Sequence, residues 1–239
     1  MSIHGLTIDY GPYGWLEDYN PGWTPNTTDS STQRYRYGQQ PQIAAWNLAR
    51  LLEAMIPLME DPEQLHDVLS AYTTCFDQHH NKMWVEKLGL NDFLDEDEDM
   101  VRNLNTLLQE VETDMTIFFR LLSTLQSPNI ESLTSAFYDE TSIPVQAWNE
   151  WLEAWWSRVE GQPNREAMLQ ANPKYVLRNW MAQLAIDAAE KGDFSVCESL
   201  HELLQDPYGE QLQHDDEWFQ KRPEWARNRV GCSMLSCSS

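Results

Sequence analysis

The sequence lacks an apolar run long enough to span a membrane, and its first residues lack the basic-then-apolar pattern of a secretory signal. It is also poor in positive charge, since 16 Lys and Arg residues stand against 38 Asp and Glu residues, giving a formal net charge of −22. That charge repels phosphate backbones and anionic lipids. We therefore expect a cytoplasmic protein that binds neither nucleic acid nor membranes, with its acidic residues on a solvated surface.

Cysteine is scarce as well. The four cysteines form neither a Cys-x-x-Cys pair nor the paired spacing of a zinc site. A chain in a reducing compartment keeps most of its thiols reduced. Cys75 and Cys197 lie in helical patterns, so we expect both in the core.

Helical periodicity dominates the 239 residues, and the 11 tryptophans can fill a core. A polar segment rich in Asn, Pro, Gly, Thr and Ser, residues 18–40, is predicted to be a long loop. From residue 208 onward we predict a mostly irregular tail. The apolar spacing and the Pro and Gly breaks between segments predict helices over 41–55, 62–88, 101–122, 130–138, 145–159, 165–170, 173–191 and 194–204.

A short β-prone segment stands at the front, over residues 3–8. A lone strand cannot satisfy its own backbone hydrogen-bonding groups. We therefore expect it to pair with a strand that this sequence does not supply, which indicates missing chain independently of any resemblance.

Asp9 follows this strand directly, and Gly11, Pro12 and Gly14 prevent strand or helix from continuing. The carboxylate of Asp9 is therefore predicted to lie on an exposed bend. Hard cations such as Mg²⁺ take oxygen ligands of this kind. An ordinary turn aspartate is the alternative that the local pattern alone leaves open.

Several motifs carry a resemblance to a known family. Asp9 opens an Asp-Tyr-Gly-Pro motif, and Met1 begins a Met-Ser pair. Further motifs are Gln-Pro at 40–41, Trp-Asn-Leu at 46–48, Thr-Ile-Phe-Phe-Arg at 116–120, Asn-Pro-Lys-Tyr-Val-Leu-Arg-Asn-Trp at 172–180, Gly-Asp-Phe at 192–194 and Ser-Cys-Ser-Ser at 236–239. Through them the whole chain resembles the selenoprotein O family, protein adenylyltransferases with a kinase-like fold.

The resemblance implies that Asp9 binds ATP together with Mg²⁺ or Mn²⁺. In the family, Asn-Thr-Asp-Asn precedes the Met-Ser pair and supplies the proton-accepting Asp and a second metal ligand. The catalytic base is therefore expected upstream of Met1, together with the amino-terminal lobe. The implied fold is mainly α: the carboxy-terminal lobe of a kinase-like fold, with a short amino-terminal β-strand and a metal-binding loop.

The activity implied by the resemblance is transfer of AMP from ATP to Ser, Thr or Tyr hydroxyls of proteins, with release of pyrophosphate. The partners are then ATP, protein substrates and the missing amino-terminal lobe, and the chain alone is expected to be inactive. We divide it into a strand and loop region (1–40), a helical lobe (41–207) and an irregular tail (208–239). The alternatives are a non-catalytic helical interaction module, half of a split enzyme, or a kinase that transfers the γ-phosphate.

Other polar and aromatic residues are candidates for a site. Glu17 and Asp18 could form a carboxylate pair near Asp9, but no family motif assigns them to metal, so we expect them to face solvent. His79 and His80 are adjacent on a helix and point in different directions, so surface or capping roles are expected. The tryptophans at 148, 151, 155 and 156 are expected to be packing residues.

Lys174 and Arg178 are four residues apart within a predicted helix, so they could bind an anion such as a phosphate from one face. Because the chain is so acidic, we favour ion pairs with carboxylates for both side chains.

The carboxy-terminal Cys237 stands where selenocysteine-containing members of the family carry selenocysteine. Cys232 lies five residues earlier and could close a small disulfide or act as a resolving thiol, so both are redox candidates. Some relatives pair the terminal Cys with one in the loop after the metal motif. No Cys occurs near Pro25 here, which leaves that crosslink without a partner.

Overall fold

A computed structural model of the chain describes residues 16–24, 32–58, 64–229 and 232. For residues 64–66 it describes the backbone alone. The predicted strand at 3–8, Asp9 and Cys237 lie outside the described residues. The described residues fall into two units. The first unit contains residues 20–24, 32–58 and 64–81, and the second contains residues 16–19, 82–229 and 232.

The first unit is built on two helices. Helix α1 is Gln40–Met55, with Pro41 in its first turn, where the missing N–H leaves no helical bond unmade. Helix α2 is Gln64–Leu88 and belongs to this unit as far as Asn81. The Tyr72 hydroxyl donates to the Pro41 carbonyl at 3.0 Å and ties the two helices together. One-turn 3₁₀ helices, Tyr37–Gln39 and Ile56–Leu58, flank α1.

The second unit continues with seven α-helices among its described residues: α3 Asp97–Glu110, α4 Met115–Leu122, α5 Val145–Arg158, α6 Arg165–Ala171, α7 Asn179–Ala189, α8 Ser195–Leu203 and α9 Asp215–Trp218. Four 3₁₀ segments join them: Ile130–Ala136, Glu140–Ser142, Leu212–His214 and Glu224–Ala226. Within the described ranges, extended pairing is limited to one isolated antiparallel bridge between Thr113 and Phe137. The predicted mainly helical fold is confirmed.

Aromatic side chains fill the core of the second unit. Trp148 and Trp155 are fully buried, and the indole N–H of Trp155 donates to the Leu88 carbonyl at 2.9 Å. Most buried indole N–H groups find such a partner, whereas that of Trp148 has none among the described residues. The packing role predicted for the tryptophan cluster is therefore confirmed. A separate apolar cluster joins Tyr175, Trp180, Met181, Leu200, Leu203 and Trp218.

The single helix predicted over 101–122 is wrong, because the chain leaves helical geometry between α3 and α4. Val111 is extended, and the Asp114 carboxylate accepts from the Ile117 N–H at 3.0 Å, which caps a new helix. The apolar residues keep their helical spacing across this break, so the break could not be predicted from periodicity.

The helix predicted over 173–191 begins six residues later, at Asn179. Instead of capping a helix, the Asn172 side chain accepts from Lys87 Nζ at 2.7 Å and donates to the Lys87 carbonyl at 3.0 Å. The N–H groups of Lys174 and Tyr175 donate to the Pro207 carbonyl. With these bonds made outside a helix, the segment stays extended.

Two further predictions on burial are wrong. Cys75 and Cys197 are exposed rather than in the core. No helix among the described residues is long and apolar enough to cross a membrane.

Candidate functional site

The described residues begin at residue 16, shortly after the predicted metal loop, and Glu17 is the first buried residue among them. The Glu17 carbonyl accepts from the Met115 N–H at 2.8 Å, and its carboxylate accepts from Arg222 Nη1 at 3.0 Å. The prediction that Glu17 faces solvent is therefore wrong, while Asp18 beside it is half-buried. Both backbone and side chain of Glu17 fix the segment that follows Asp9 in sequence.

Arg222 reaches a second carboxylate, Glu112, which also accepts from Arg227 Nη1 at 3.0 Å. The backbone N–H of Arg222 donates to the Tyr138 hydroxyl at 3.0 Å. Arg222 thus links three parts of the chain: residue 17, the turn after α3, and the segment after the Ile130–Ala136 turn.

Next to this arginine pair lies a fully buried ion pair. Arg178 Nη2 donates to Asp114 Oδ1 at 2.9 Å, and Arg178 Nη1 contacts the other oxygen, so the guanidinium grips the carboxylate with both arms. The same carboxylate caps α4. We call the set of Glu17, Glu112, Asp114, Tyr138, Arg178, Arg222 and Arg227 the Glu17 cluster.

Burial dominates the electrostatics of the Glu17 cluster. It raises the pKa of Glu17 to about 7, although the nearby Arg178 and Arg222 act in the opposite direction. Asp114 and Asp18 raise it further. Burial also raises the pKa of Tyr138, with Glu17 adding to that shift. Glu17 is therefore a carboxyl that takes up a proton near neutral pH.

The chemical role that this arrangement suits is positioning. The carboxylates of Glu17, Glu112 and Asp114 each accept hydrogen bonds from guanidinium groups. Oxygen atoms committed in this way hold the backbone in place rather than attack a substrate. Among the described residues, no group of three or more His, Cys, Asp or Glu side chains could hold a metal ion.

A second set of charged residues contains Lys174, which was predicted to share a helical face with Arg178. The two lie instead in the extended segment before α7, and both are buried. Lys174 Nζ contacts Glu210 Oε2 at 3.0 Å and Asp215 Oδ2 at 2.8 Å. The prediction that Lys174 and Arg178 pair with carboxylates is confirmed. The alternative, that both bind an anion from one face of a helix, is wrong.

Comparison of the sequence with known proteins assigns the chain to a family. The family model described as "Protein adenylyltransferase SelO" matches residues 1–205. The chain belongs to the SelO family. That match includes Asp9 and the Glu17, Glu112, Asp114, Tyr138 and Arg178 members of the Glu17 cluster.

Individual relatives agree. The chain is 50% identical over 252 residues to the protein nucleotidyltransferase YdiU of Flavobacterium johnsoniae, covering 100% of this chain and 48% of that protein. It is 47% identical over 248 residues to YdiU of Aromatoleum aromaticum (100% and 47%) and 48% identical over 263 residues to YdiU of Rhodopirellula baltica (100% and 48%). The chain spans about half the length of the curated relatives it matches.

Of the two redox candidates suggested by the SelO resemblance, the structure describes Cys232. This residue is 6% exposed and its carbonyl accepts from Asn179 Nδ2 at 3.0 Å. Burial raises the pKa of its thiol, and a protonated thiol is a weak nucleophile. Its surroundings favour packing, and its role as a resolving thiol stays a prediction.

His79 and His80 are exposed on α2, as their surface role requires. His79 Nδ1 lies 2.8 Å from the Cys75 carbonyl, one turn earlier.

The sequence contained a usable signal for only part of the Glu17 cluster. Asp114 stands three residues before Ile117 at the start of an apolar run, which is typical of a helix cap. Arg222 carries no such signal, since its partner Glu17 lies 205 positions away.

Proposed function

We propose that this chain is the part of a protein adenylyltransferase that bears a metal-binding aspartate and the helical lobe of a kinase-like fold. One observation carries the proposal: the SelO family match over residues 1–205, which takes in the Asp-Tyr-Gly-Pro motif at 9–12. The division into 1–40, 41–207 and 208–239 belongs to the same proposal.

Asp9 is the residue proposed to hold the metal and, through it, ATP. The donor chemistry fits, because Mg²⁺ binds one or two carboxylate or amide oxygens of a protein alongside water and phosphate oxygens. Mn²⁺ accepts the same donors. When bound, the metal neutralises charge on the phosphates. Asp9 supplies one such ligand, so we propose that the other ligand and the catalytic base come from outside this chain.

The proposed reaction joins a hydroxyl oxygen of a protein Ser, Thr or Tyr to the α-phosphorus of ATP. The bond from that phosphorus to the bridging oxygen breaks, pyrophosphate leaves, and the hydroxyl proton passes to the base. Besides the proposed metal ligand Asp9, this chain contributes positioning, because the Glu17 cluster fixes the segment that begins eight residues after Asp9.

The test is label transfer from ATP. The chain is co-expressed with the half of the F. johnsoniae relative that it does not match, and the product is incubated with protein and ATP labelled at the α- or the γ-phosphorus. We expect label on protein from the α position alone, and no transfer by the 239-residue chain by itself. Transfer from the γ position alone would instead identify a kinase. Transfer by the 239-residue chain alone would refute the proposal that the catalytic base comes from outside this chain.

A second candidate function is a helical interaction module, either a chain without catalysis or one half of a split enzyme. The first unit favours it, because apolar side chains such as Leu58 (84% exposed) lie at its surface. Both candidates require a partner polypeptide.

A further inference from the structure

The first unit buries little of its apolar surface. Leu52 is the one buried side chain among its described residues. In contrast, a set of large apolar side chains is exposed by 41% or more: Trp46, Met55, Ile56, Leu58 and Val68. We call this set the α1–α2 face. Exposed apolar residues are ordinary when scattered, but their concentration in a unit whose described residues bury a single side chain marks a surface that binds a partner.

Energetics point the same way. Two helices gain most of their stability from packing an apolar face rather than from helix propensity. Full burial of a Leu, Ile or Met side chain stabilises the structure that buries it. Such burial is largely unrealised on the α1–α2 face, so a covering surface stabilises α1 and α2 together.

A contact between an arginine and an aromatic ring in the first unit also suits an interface. The Arg34 guanidinium lies 3.9 Å from the centre of the Trp46 ring. Paired arginine and tryptophan side chains are typical of the residues that contribute most to protein interfaces.

The relatives indicate the occupant. Each YdiU relative carries this chain's full length as about half of a single polypeptide, 48% in the F. johnsoniae protein. The other half is joined to it covalently and is present at high local concentration. We propose that the α1–α2 face is the docking surface for the polypeptide that corresponds to this unmatched half. The inference rests on the proposed function and names the surface through which the two parts meet.

The experiment co-expresses the full 239-residue chain with the tagged unmatched half of the F. johnsoniae relative and measures the complex recovered. We expect a one-to-one complex, and at least a tenfold lower yield for Ile56→Asp and Leu58→Asp. The matched control is Leu212→Asp, at an exposed leucine of the second unit, which should recover within twofold of the unchanged chain. Circular dichroism and thermal unfolding of each variant alone confirm that folding is retained.

Three outcomes overturn the proposal. In the first, Leu212→Asp weakens the complex as much as the face variants do. A chain that is a dimer by itself, and becomes a monomer on Leu58→Asp, uses the face for a second copy. A free monomer whose α1 amides exchange slowly already covers the face itself.

This test is separable from that of the proposed function. A complex that needs the face but transfers no AMP leaves the docking surface standing and refutes the enzyme. AMP transfer that is unaffected by Leu58→Asp supports the enzyme and refutes the docking surface.

Discussion

The two units of this chain are both helical, but they differ in what their helices bury. In the second unit, Trp148 and Trp155 are enclosed and buried carboxylates are paired with arginines. In the first unit, Trp46 is 44% exposed, and an ion pair between Arg50 and Glu53 lies at the surface. Apolar periodicity therefore predicts where a helix forms, whereas burial of its side chains depends on partners elsewhere in the chain or outside it.

The largest expected difference concerns ion pairs. Asp114→Ala leaves Arg178 buried without its carboxylate and removes the cap of α4. We expect a loss of about 3–5 kcal/mol in the free energy of unfolding from the broken buried pair. Glu53→Ala in the exposed pair of the first unit should cost less than about 1 kcal/mol. Urea denaturation measures both. Equal losses would show that the two units do not differ in this respect.

Tryptophan truncation gives the next largest difference. Trp155→Ala opens a cavity and removes the bond to the Leu88 carbonyl, so unfolding free energy should fall by about 3–5 kcal/mol. Trp46→Ala removes a side chain that is already 44% exposed, and we expect a loss below about 1 kcal/mol. Thermal and urea unfolding of the free chain measure both. A large loss at Trp46 would mean that the free chain already covers the α1–α2 face.

The pH dependence of stability should be traceable to Glu17. Its pKa rises from 4.5 to about 7 in the folded chain, so the folded state binds the proton more tightly than the unfolded state. The stability that this proton contributes is present below the unfolded pKa and lost as the pH rises through about 7. Between about pH 5 and about pH 8 the loss amounts to about 2 kcal/mol.

Glu17→Gln should remove that part of the pH dependence, because the amide does not titrate. The control is Asp77→Asn, at an exposed carboxylate of the first unit, which should leave the slope unchanged. Urea denaturation at several pH values supplies the slopes. An unchanged slope for the Glu17 variant would contradict a raised pKa.

Thiol reactivity is expected to give the smallest effect. Cys75 of the first unit is exposed and Cys232 of the second is buried with a raised pKa. Iodoacetamide should therefore label Cys75 first, and Cys232 only after unfolding. Peptide mass spectrometry over time reads the order. Rapid labelling of Cys232 in the folded chain would favour its role as a resolving thiol.

The sequence predicted much of the helical layout, because helices such as α1 and α5 begin or end at prolines, glycines or polar caps that act locally. It failed where distant groups decide the structure. Asn172 bonds to Lys87 instead of capping a helix, and Arg222 draws Glu17 out of solvent. Asp9 was recognisable because its motif is contiguous, whereas the Glu17 cluster is assembled from residues up to 205 positions apart.

Asp9 is the residue that we propose to bind the nucleotide-associated metal of an adenylyltransferase. The most direct measurement is the rate of AMP transfer by the co-expressed complex with Asp9→Ala, beside Asp18→Ala as the control in the same segment. We expect Asp9→Ala to lower the rate by at least about a hundredfold, since lost charge stabilisation of a few kcal/mol has that effect. Asp18→Ala should stay within tenfold. Full activity of the Asp9→Ala complex would contradict metal binding by the Asp9 carboxylate.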